Sequence, residues 1–193
     1  KQTQDLYEKW YLSYDDELKS NNYSTPKRCA KALKKYLTDS NSHILDIGCG
    51  TGLSGQEILN VGFKNVDGTD FSDKMLYEAK NKNIYKRLFN LDLNSNFYNV
   101  NFNYNAIVAA GIISPHHANP SCLEKCLNIL CDSGLLIFSL NDHAVENKNF
   151  MDEIFMIVDK NFEILEKTYG DHLPGIKLNS FVYVIKKLKI NKY

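Results

Sequence analysis

The sequence predicts an α/β protein built on a mostly parallel sheet with helices on both faces. Short apolar runs of strand length alternate with amphipathic stretches of helix length over most of the chain, and this alternation is typical of parallel strands joined by crossover helices. The last two predicted strands have no helix between them, so we expect them to pair antiparallel. With 193 residues the chain can form one substantial core, which predicts a single domain over residues 1–193.

Two helices precede the alternation. Apolar periodicity predicts them at residues 6–18 and 26–37. Because they come before the first strand, we expect residues 1–40 to form a helical lid over one end of a core made by residues 41–193. The core begins with strand 43–47, helix 53–61, strand 65–69, helix 72–80 with Ser72 as its N-cap, and strand 85–89.

Four more strands complete a predicted sheet of seven. They are expected at residues 104–109, 134–140, 163–169 and 180–186, with helices at 122–131 and 150–160. Ligands of open α/β sheets bind outside the carboxyl ends of the strands. The predicted lid should therefore cover a ligand site at that end.

Composition excludes several classes of protein. The 23 Lys and Arg balance 23 Asp and Glu, which argues against binding nucleic acid or an anionic membrane by bulk charge. No apolar run approaches the roughly 20 residues that cross a bilayer. Five cysteines without CxxC spacing predict neither a disulfide framework nor a metal site, and they suit a reducing, cytoplasmic location. Cys122 and Cys126 are expected to be buried on one helix face.

The strongest motif is Leu45-Asp-Ile-Gly-Cys-Gly-Thr-Gly52, in which a strand runs into three glycines. Three glycines indicate a ligand lying against the backbone, since an ordinary strand–helix turn needs one. Residues 50–55 match the dinucleotide pattern GxGxxG, but the carboxylate of Asp46 would repel a diphosphate. That carboxylate suits S-adenosylmethionine, which carries an ammonium and a sulfonium and no phosphate. NAD(P) stays open as the alternative ligand.

Acidic residues also follow the next two strands. Asp70 lies 18 residues after Gly52, where a carboxylate can accept hydrogen bonds from both ribose hydroxyls in either kind of nucleotide site. It could instead stabilise the start of the following helix. Phe71 and Met75 are neighbouring cofactor-binding candidates, although Met75 also suits the core. After the third strand, Asp92 and Leu93 could contact the adenine, with an exposed turn as the alternative.

Together these motifs resemble those of class I S-adenosylmethionine-dependent methyltransferases over about residues 26–187. The resemblance implies a Rossmann-like sheet whose last strand is inserted antiparallel. It assigns the methionine moiety to the glycine loop, the ribose to the second strand, the adenine to the third and the sulfonium to the end of the fourth. The implied cofactor-binding residues are Asp46, Gly48, Cys49, Gly50, Gly52, Asp70, Asp92, Leu93 and Ala109.

A closer resemblance is carried by residues 10–15, 22–30, 76–80 and 111–116. They are similar to methyltransferase-like proteins named after a Williams–Beuren syndrome chromosomal region, a subfamily that implies no particular substrate. In similar enzymes an N-terminal aromatic residue closes over the donor, which makes Tyr14 and Trp10 candidates; four residues apart, they could equally form the apolar face of a helix. Arg28 could reach the carboxylate of the donor or lie in solvent.

Sequence signatures that are missing from the chain narrow the range of possible methyl acceptors. The fourth strand ends in Ala109-Ala-Gly111, which lacks the Asn/Asp-Pro-Pro-aromatic signature of enzymes that methylate amino groups of bases. We therefore expect a small-molecule acceptor, with a protein acceptor left open. A general base is optional in methyl transfer; His116 and His117, just past this strand, are the catalytic candidates, with His172 and His143 ranked lower.

The leading hypothesis is thus a methyltransferase that uses S-adenosylmethionine and releases S-adenosylhomocysteine. One alternative is an NAD(P)-linked oxidoreductase. The other is a donor-binding module without catalysis that serves a partner subunit.

Overall fold

The computed structural model describes residues 15–95, 103–115 and 117–189. Its strands are β1 (His43–Ile47), β2 (Asn65–Asp70), β3 (Leu88–Asn90), β4 (Tyr104–Ala109), β5 (Leu130–Asn141), β6 (Phe162–Leu173) and β7 (Leu178–Lys187). Its helices are α1 (residues 15–20), α2 (Thr25–Tyr36), α3 (Leu53–Asn60), α4 (Asp73–Asn81), α5 (Ser121–Ile129), α6 (Asp142–Glu146) and α7 (Lys148–Asn161). A short 3-10 turn, Pro174–Ile176, joins β6 to β7.

The strands form one seven-stranded sheet in the order β3-β2-β1-β4-β5-β7-β6. Neighbouring strands from β3 through β5 run parallel, whereas β7 is antiparallel to both β5 and β6. The predicted α/β class and the antiparallel C-terminal strand are therefore confirmed. The order of the strands reverses beside β1, which has β2 on one side and β4 on the other, and such switch points are where open α/β sheets bind ligands.

Helices cover both faces of the sheet, and each face has its own apolar core. One core packs α5 and α7 against β4 and β5, and it includes Cys122 and Cys126, both almost fully buried as expected. The other packs α2 and α3 against residues such as Val108, Ile137 and Val184. No described helix combines the length and the apolar character needed to cross a membrane.

The prediction that helix 26–37 belongs to a lid over the end of the sheet is wrong. Cys29, Ala30 and Leu33 of α2 are fully buried in the second core. This helix therefore forms part of the layer that covers one face of the sheet. Its N-terminus alone, at Tyr23 and Pro26, reaches the edge where the strands end. Residues 1–14 of the predicted lid lie outside the described residues.

Several element boundaries differ from the prediction for local reasons. The third strand is shorter than predicted, although Lys86 already donates a backbone hydrogen bond to the carbonyl of Val66 (2.8 Å). The fifth begins at Leu130 because the expected turn forms an irregularity within it, with Ser133 in the left-handed region at φ +59°. The short helix α6, which begins at an Asn141 cap, was not predicted.

Candidate active site

A cavity of about 270 Å³ lies outside the carboxyl ends of β1 to β4. It is lined by the glycine loop after β1, the end of β2 with the start of α4, the loop after β3, the loop after β4 and the approach to α2. The lining residues are Tyr23, Pro26, Gly48, Cys49, Gly50, Thr51, Leu53, Ser54, Asp70, Phe71, Met75, Leu91, Asp92, Leu93, Asn94, Ala110, Gly111, Ile112, His117 and Ala118.

The glycine loop has a backbone that favours glycine at three positions. Gly48, Gly50 and Gly52 have φ values of +68°, +54° and +97°, a region that other residues rarely adopt. A methyl group on Gly48 would lie 2.7 Å from Cγ2 of Ile112, so the loops after β1 and β4 pack directly together. Gly48, Cys49 and Gly50 line the cavity as expected, whereas Gly52 serves as the left-handed N-cap of α3 and does not line it.

Asp70 ties the glycine loop to the start of α4. Its Oδ2 accepts a hydrogen bond from the backbone N–H of Gly50 (2.9 Å), and its Oδ1 accepts one from Ser72 (2.9 Å). Burial raises the pKa of this carboxyl, while the backbone N–H groups act in the opposite direction. The side chain therefore supports the helix start and also lines the cavity, and its binding of a ribose stays a prediction.

Asp46 lies behind the cavity and does not line it, which corrects the expected contact with the donor. The side chain is fully buried, and its Oδ2 accepts hydrogen bonds from Ser54 (2.5 Å) and Tyr85 (2.6 Å). Of these two donors, Ser54 does line the cavity. Burial raises the pKa of Asp46 to about 6. Its influence on a ligand would therefore act through Ser54 and the shape of the loop.

Tyr85 accounts for two glycines of the surrounding sequence. A methyl group on Gly55 would lie 2.3 Å from the hydroxyl oxygen of Tyr85, and one on Gly68 would lie 2.9 Å from its ring. The third glycine of the GxGxxG pattern therefore makes room for the partly buried Tyr85. Because the third glycine of dinucleotide sites also serves helix packing, Gly55 does not distinguish between the two ligand classes.

The residues predicted to lie beside the adenine share one wall of the cavity. Phe71, Met75, Asp92 and Leu93 all line the cavity. Met75 is 1% exposed, so it belongs to the core and contributes to the wall as well. Asp92 is exposed, and its Oδ1 accepts a hydrogen bond from the backbone N–H of Asn94 (2.9 Å), which fixes the turn.

The opposite wall follows β4. Ala109 is 1% exposed and belongs to the core, which corrects its expected place at the donor; Ala110, Gly111 and Ile112 line the cavity instead. The N–H of Gly111 donates to the Oγ of Ser139 (2.8 Å). This bond anchors the loop to the neighbouring strand β5.

Of the two catalytic candidates, His117 lines the cavity. Its ring is exposed, and its Nδ1 lies 2.9 Å from the Oγ of Ser114, which orients the imidazole. His116 lies outside the described residues, as do Trp10 and Tyr14. The lower-ranked His143 is exposed on α6 and does not line the cavity.

Arg28 and His172 have structural partners. The Arg28 guanidinium donates to the carbonyl oxygens of Thr168, Gly170, Asp171 and Ser180 at 2.9 to 3.1 Å. The guanidinium joins α2 to β6 and β7 and does not line the cavity. Both the expected contact with the donor carboxylate and the expected position in solvent are therefore corrected to a structural role. His172 is 7% exposed and does not line the cavity, but its ring packs edge-on against Tyr23, which does.

The first described residue of the N-terminal segment is held against the glycine loop. The carboxylate of Asp15 accepts hydrogen bonds from the Thr51 hydroxyl and from Lys82 Nζ, the latter at 2.5 Å. Thr51 lines the cavity and Lys82 follows α4. Asp15 therefore holds the described start of α1 beside the glycine loop.

Sequence reasoning missed three of the residues that line the cavity, Thr51, Ser54 and Tyr23. Thr51 and Ser54 carry hydroxyls within the glycine loop and α3, and the motif drew attention to the glycines alone. For Tyr23, no spacing signal distinguishes it from the other eleven tyrosines of the chain. Its place becomes visible when β4, β6 and α2 are brought together.

Comparisons with known proteins find similarity to methyltransferases over part of the chain. Residues 44–134 match the model of a family described as a methyltransferase domain. Methyltransferase-like protein 27 of Homo sapiens is 33% identical over 85 residues, which are 43% of this chain and 35% of that protein. The chain spans about a third of the length of the curated relatives it matches.

Solved structures share the fold. A TehB-like SAM-dependent methyltransferase from Corynebacterium glutamicum has a TM-score of 0.64 and 19% identity, with 93% of this chain and 96% of that chain covered. A magnesium protoporphyrin IX methyltransferase from Synechocystis, solved with bound SAM, has a TM-score of 0.63 and 17% identity, with 83% and 79% covered. The fold implied by the resemblance to class I methyltransferases is therefore confirmed.

Proposed function

We propose that this chain, which has a methyltransferase domain and the class I fold, transfers the methyl group of S-adenosylmethionine to a small-molecule acceptor. The observation that carries the proposal is the cavity at the switch point of the sheet, where the buried carboxylate of Asp70 and the backbone of Gly48 and Gly50 form one wall. A nucleoside with a cationic amino-acid tail fits this cavity better than a diphosphate does. The reason is that the charged groups of the described lining are the acids Asp70 and Asp92.

Each half of the cavity has a distinct part in this proposal. Asp70 would accept hydrogen bonds from the ribose, and Asp92 with Leu93 would contact the adenine. When bound, S-adenosylmethionine supplies an electrophilic methyl group on a sulfonium. The residues after β4 then border the place of transfer, and in-line displacement depends mainly on positioning and on exclusion of water.

The acceptor is expected to be small and without strong negative charge. Among the described residues that line the cavity there is no lysine or arginine, so an anionic acceptor would lack an ion-pair partner there. Ile112 and Ala118 contribute apolar side chains to the wall beside Gly111, where the Tyr23 hydroxyl also lies. His117 is our candidate general base for an acceptor that must lose a proton, because its ring is oriented by Ser114 at the rim.

Ligand-dependent stabilisation tests the proposal. S-adenosylmethionine and S-adenosylhomocysteine should each raise the melting temperature and give measurable affinity by calorimetry, since a ligand that binds the folded state stabilises it. NAD and NADP should not. A melting temperature that rises with NAD(P) alone would favour an oxidoreductase, and donor binding without transfer to any acceptor in a screen would favour a non-catalytic module.

A pair of matched variants localises the binding. Asp70→Asn should weaken binding of both ligands at least tenfold, because it removes a buried charge and an acceptor that also fixes Gly50. Asp132→Asn makes the same chemical change at an exposed site away from the cavity and should leave the affinities unchanged. Equal affinities for the two variants would contradict the assignment of this cavity to the donor.

A further inference from the structure

The side-chain amide of Asn94 joins two loops that border the cavity. Its Nδ2 donates a hydrogen bond to the carbonyl oxygen of His117 (3.1 Å), and its Oδ1 accepts one from the backbone N–H of Asn119 (3.1 Å). Asn94 follows β3, whereas both of its partners follow β4. Asn94 and His117 each line the cavity. A single side chain therefore connects two walls of the candidate site.

The turn that carries Asn94 is anchored from two directions. The backbone N–H of Asn94 donates to Oδ1 of Asp92 (2.9 Å), and the N–H of Ser95 donates to the carbonyl oxygen of Asp92 (3.0 Å). From α5, the Nζ of Lys125 donates to the carbonyl oxygen of Leu93 (2.9 Å). The position of the amide is therefore set by α5 as well as by the end of β3.

The loop that accepts this amide is closed by bonds of its own. The N–H of His117 donates to the carbonyl oxygen of Ser114 (3.1 Å), and the ring Nδ1 lies 2.9 Å from the Oγ of Ser114. The N–H of Ala118 donates to the carbonyl oxygen of Ile112 (3.2 Å). These bonds fix the imidazole relative to its own loop. The two bonds from Asn94 tie that loop to the neighbouring wall of the cavity.

An asparagine side chain suits this position because its amide has a donor group and an acceptor atom at its tip. The carbonyl of His117 can only accept and the N–H of Asn119 can only donate, so these partners determine which way the amide points. Aspartate at position 94 would keep the acceptor and lose the donor, and alanine would lose both. The two bonds can therefore be removed separately.

We propose that Asn94 is a positioning residue whose amide holds the imidazole of His117 at the rim of the cavity. This inference rests on the proposed function, in which His117 is the candidate general base. A general base must lie within hydrogen-bond reach of the proton that it removes, so a shift of the loop would take the ring out of reach. The restraint comes from the wall that carries Asp92 and Leu93, and it connects the two halves of the site.

NMR spectroscopy of the unliganded chain tests the proposal through the amide N–H of Asn119 and the ring nitrogens of His117, assigned with His117→Gln. Asn94→Ala should speed hydrogen exchange of the Asn119 N–H about fivefold. It should also move the ring signals toward those of a freely rotating, exposed histidine. Asn94→Asp should restore the slow exchange, because its carboxylate still accepts that bond, and should restore the ring signals only in part.

Asn119→Ala is the matched control. It makes the same chemical change at an exposed residue that bonds to Asn94 through its backbone, so the His117 ring signals should stay as in the wild type. Ring signals that do not change in Asn94→Ala would overturn the proposal, and a lower melting temperature alone would reduce Asn94 to a structural role.

Binding of S-adenosylhomocysteine separates this inference from the proposed function. Its affinity, measured by calorimetry, should be the same within experimental error for Asn94→Ala and the wild type. A large loss of affinity with unchanged ring signals would assign Asn94 to donor binding and overturn its positioning role. If the wild-type chain binds neither the donor nor its product, the proposed function fails, whereas the NMR signals still decide whether Asn94 holds the histidine.

Discussion

The hydroxyl of Tyr85 donates a hydrogen bond to Oδ2 of the buried Asp46 at 2.6 Å, through a space kept open by two glycines. Gly55 lies on α3 and Gly68 on β2, and a side chain at either would collide with the tyrosine. The contact joins the segment before β3 to the end of β1, directly before the glycine loop. It gives the sequence pattern around residue 55 a packing explanation.

Replacement of Gly55 by alanine should destabilise the protein. On an ordinary helix this change stabilises by about 1 kcal/mol, but here the new methyl group would lie 2.3 Å from the Tyr85 hydroxyl. Overpacking of this kind costs about 1–3 kcal/mol. We therefore expect the free energy of unfolding, measured in urea, to fall.

The double variant Gly55→Ala/Tyr85→Ala distinguishes the collision from a general effect. Because the alanine at 85 removes the colliding ring, the two changes should cost less together than the sum of their separate costs. Gly62→Ala is the comparison, since a methyl group there meets no atom within 4 Å and suffers only from its φ of +99°. Strict additivity of Gly55→Ala and Tyr85→Ala would contradict the collision.

Much of the fold could be predicted because its signals are local. Apolar runs gave β1, β2, β4 and the antiparallel end of the sheet, and Ser72 was recognised as an N-cap, which its bond with the N–H of Met75 confirms. The glycine loop and Asp70 were found because a backbone that approaches a ligand needs a rare combination of residue types. Each of these features is determined by residues that lie close together in the sequence.

The rest depends on contacts between distant parts of the chain. Asp46 and Ala109 were expected to touch the donor because they end their strands, but a strand end can direct its side chain into the core. Likewise, α2 was expected to act as a lid because it precedes the first strand. Its buried face, with Cys29 and Leu33, shows that order in sequence does not determine the layer in which a helix packs.

Arg28→Lys should destabilise the protein by about 1–3 kcal/mol. The planar guanidinium serves four carbonyl oxygens on β6 and β7, and an ammonium cannot match that geometry. Partly buried acceptors would then lose their partners. Chemical denaturation gives the cost, and Lys27→Ala at the exposed neighbouring position is the control. Since Arg28 does not line the cavity, a large loss of S-adenosylhomocysteine affinity with little loss of stability would contradict this role.

Arg87→Met should destabilise the protein more strongly, by about 3 kcal/mol or more. Arg87 forms an ion pair with the buried carboxylate of Asp67, which also bonds to His43 (2.7 Å) and Tyr104 (3.1 Å). Burial alone would raise the pKa of Asp67, but Arg87 and His43 hold it below its usual value. Loss of the arginine leaves a buried charge with weaker compensation. The neighbouring Lys86→Met, measured in the same way, should cost much less; equal costs would show that the network adds little.

Asp46 and His172 should give the protein two opposite dependences of stability on pH. Burial raises the pKa of Asp46 from 3.8 to about 6, so the native state holds a proton that the unfolded state has lost, and stability falls as pH rises from about 4 to 6. Burial lowers the pKa of His172 from 6.5 to about 4, with smaller effects of Arg28, Asp142 and His143. The native state then resists protonation, and stability rises over the same interval.

Each contribution amounts to about 3 kcal/mol between pH 4 and 7, so they largely offset each other in the wild type. Single variants should separate them. Relative to the wild type, the free energy of unfolding of Asp46→Asn should increase with pH over this range, whereas that of His172→Gln should decrease. The two variants control for each other, because effects of pH on the remaining groups cancel in each difference. Differences that change in the same direction would contradict the assigned environment of one of the two residues, and the variant whose difference has the wrong sign identifies which.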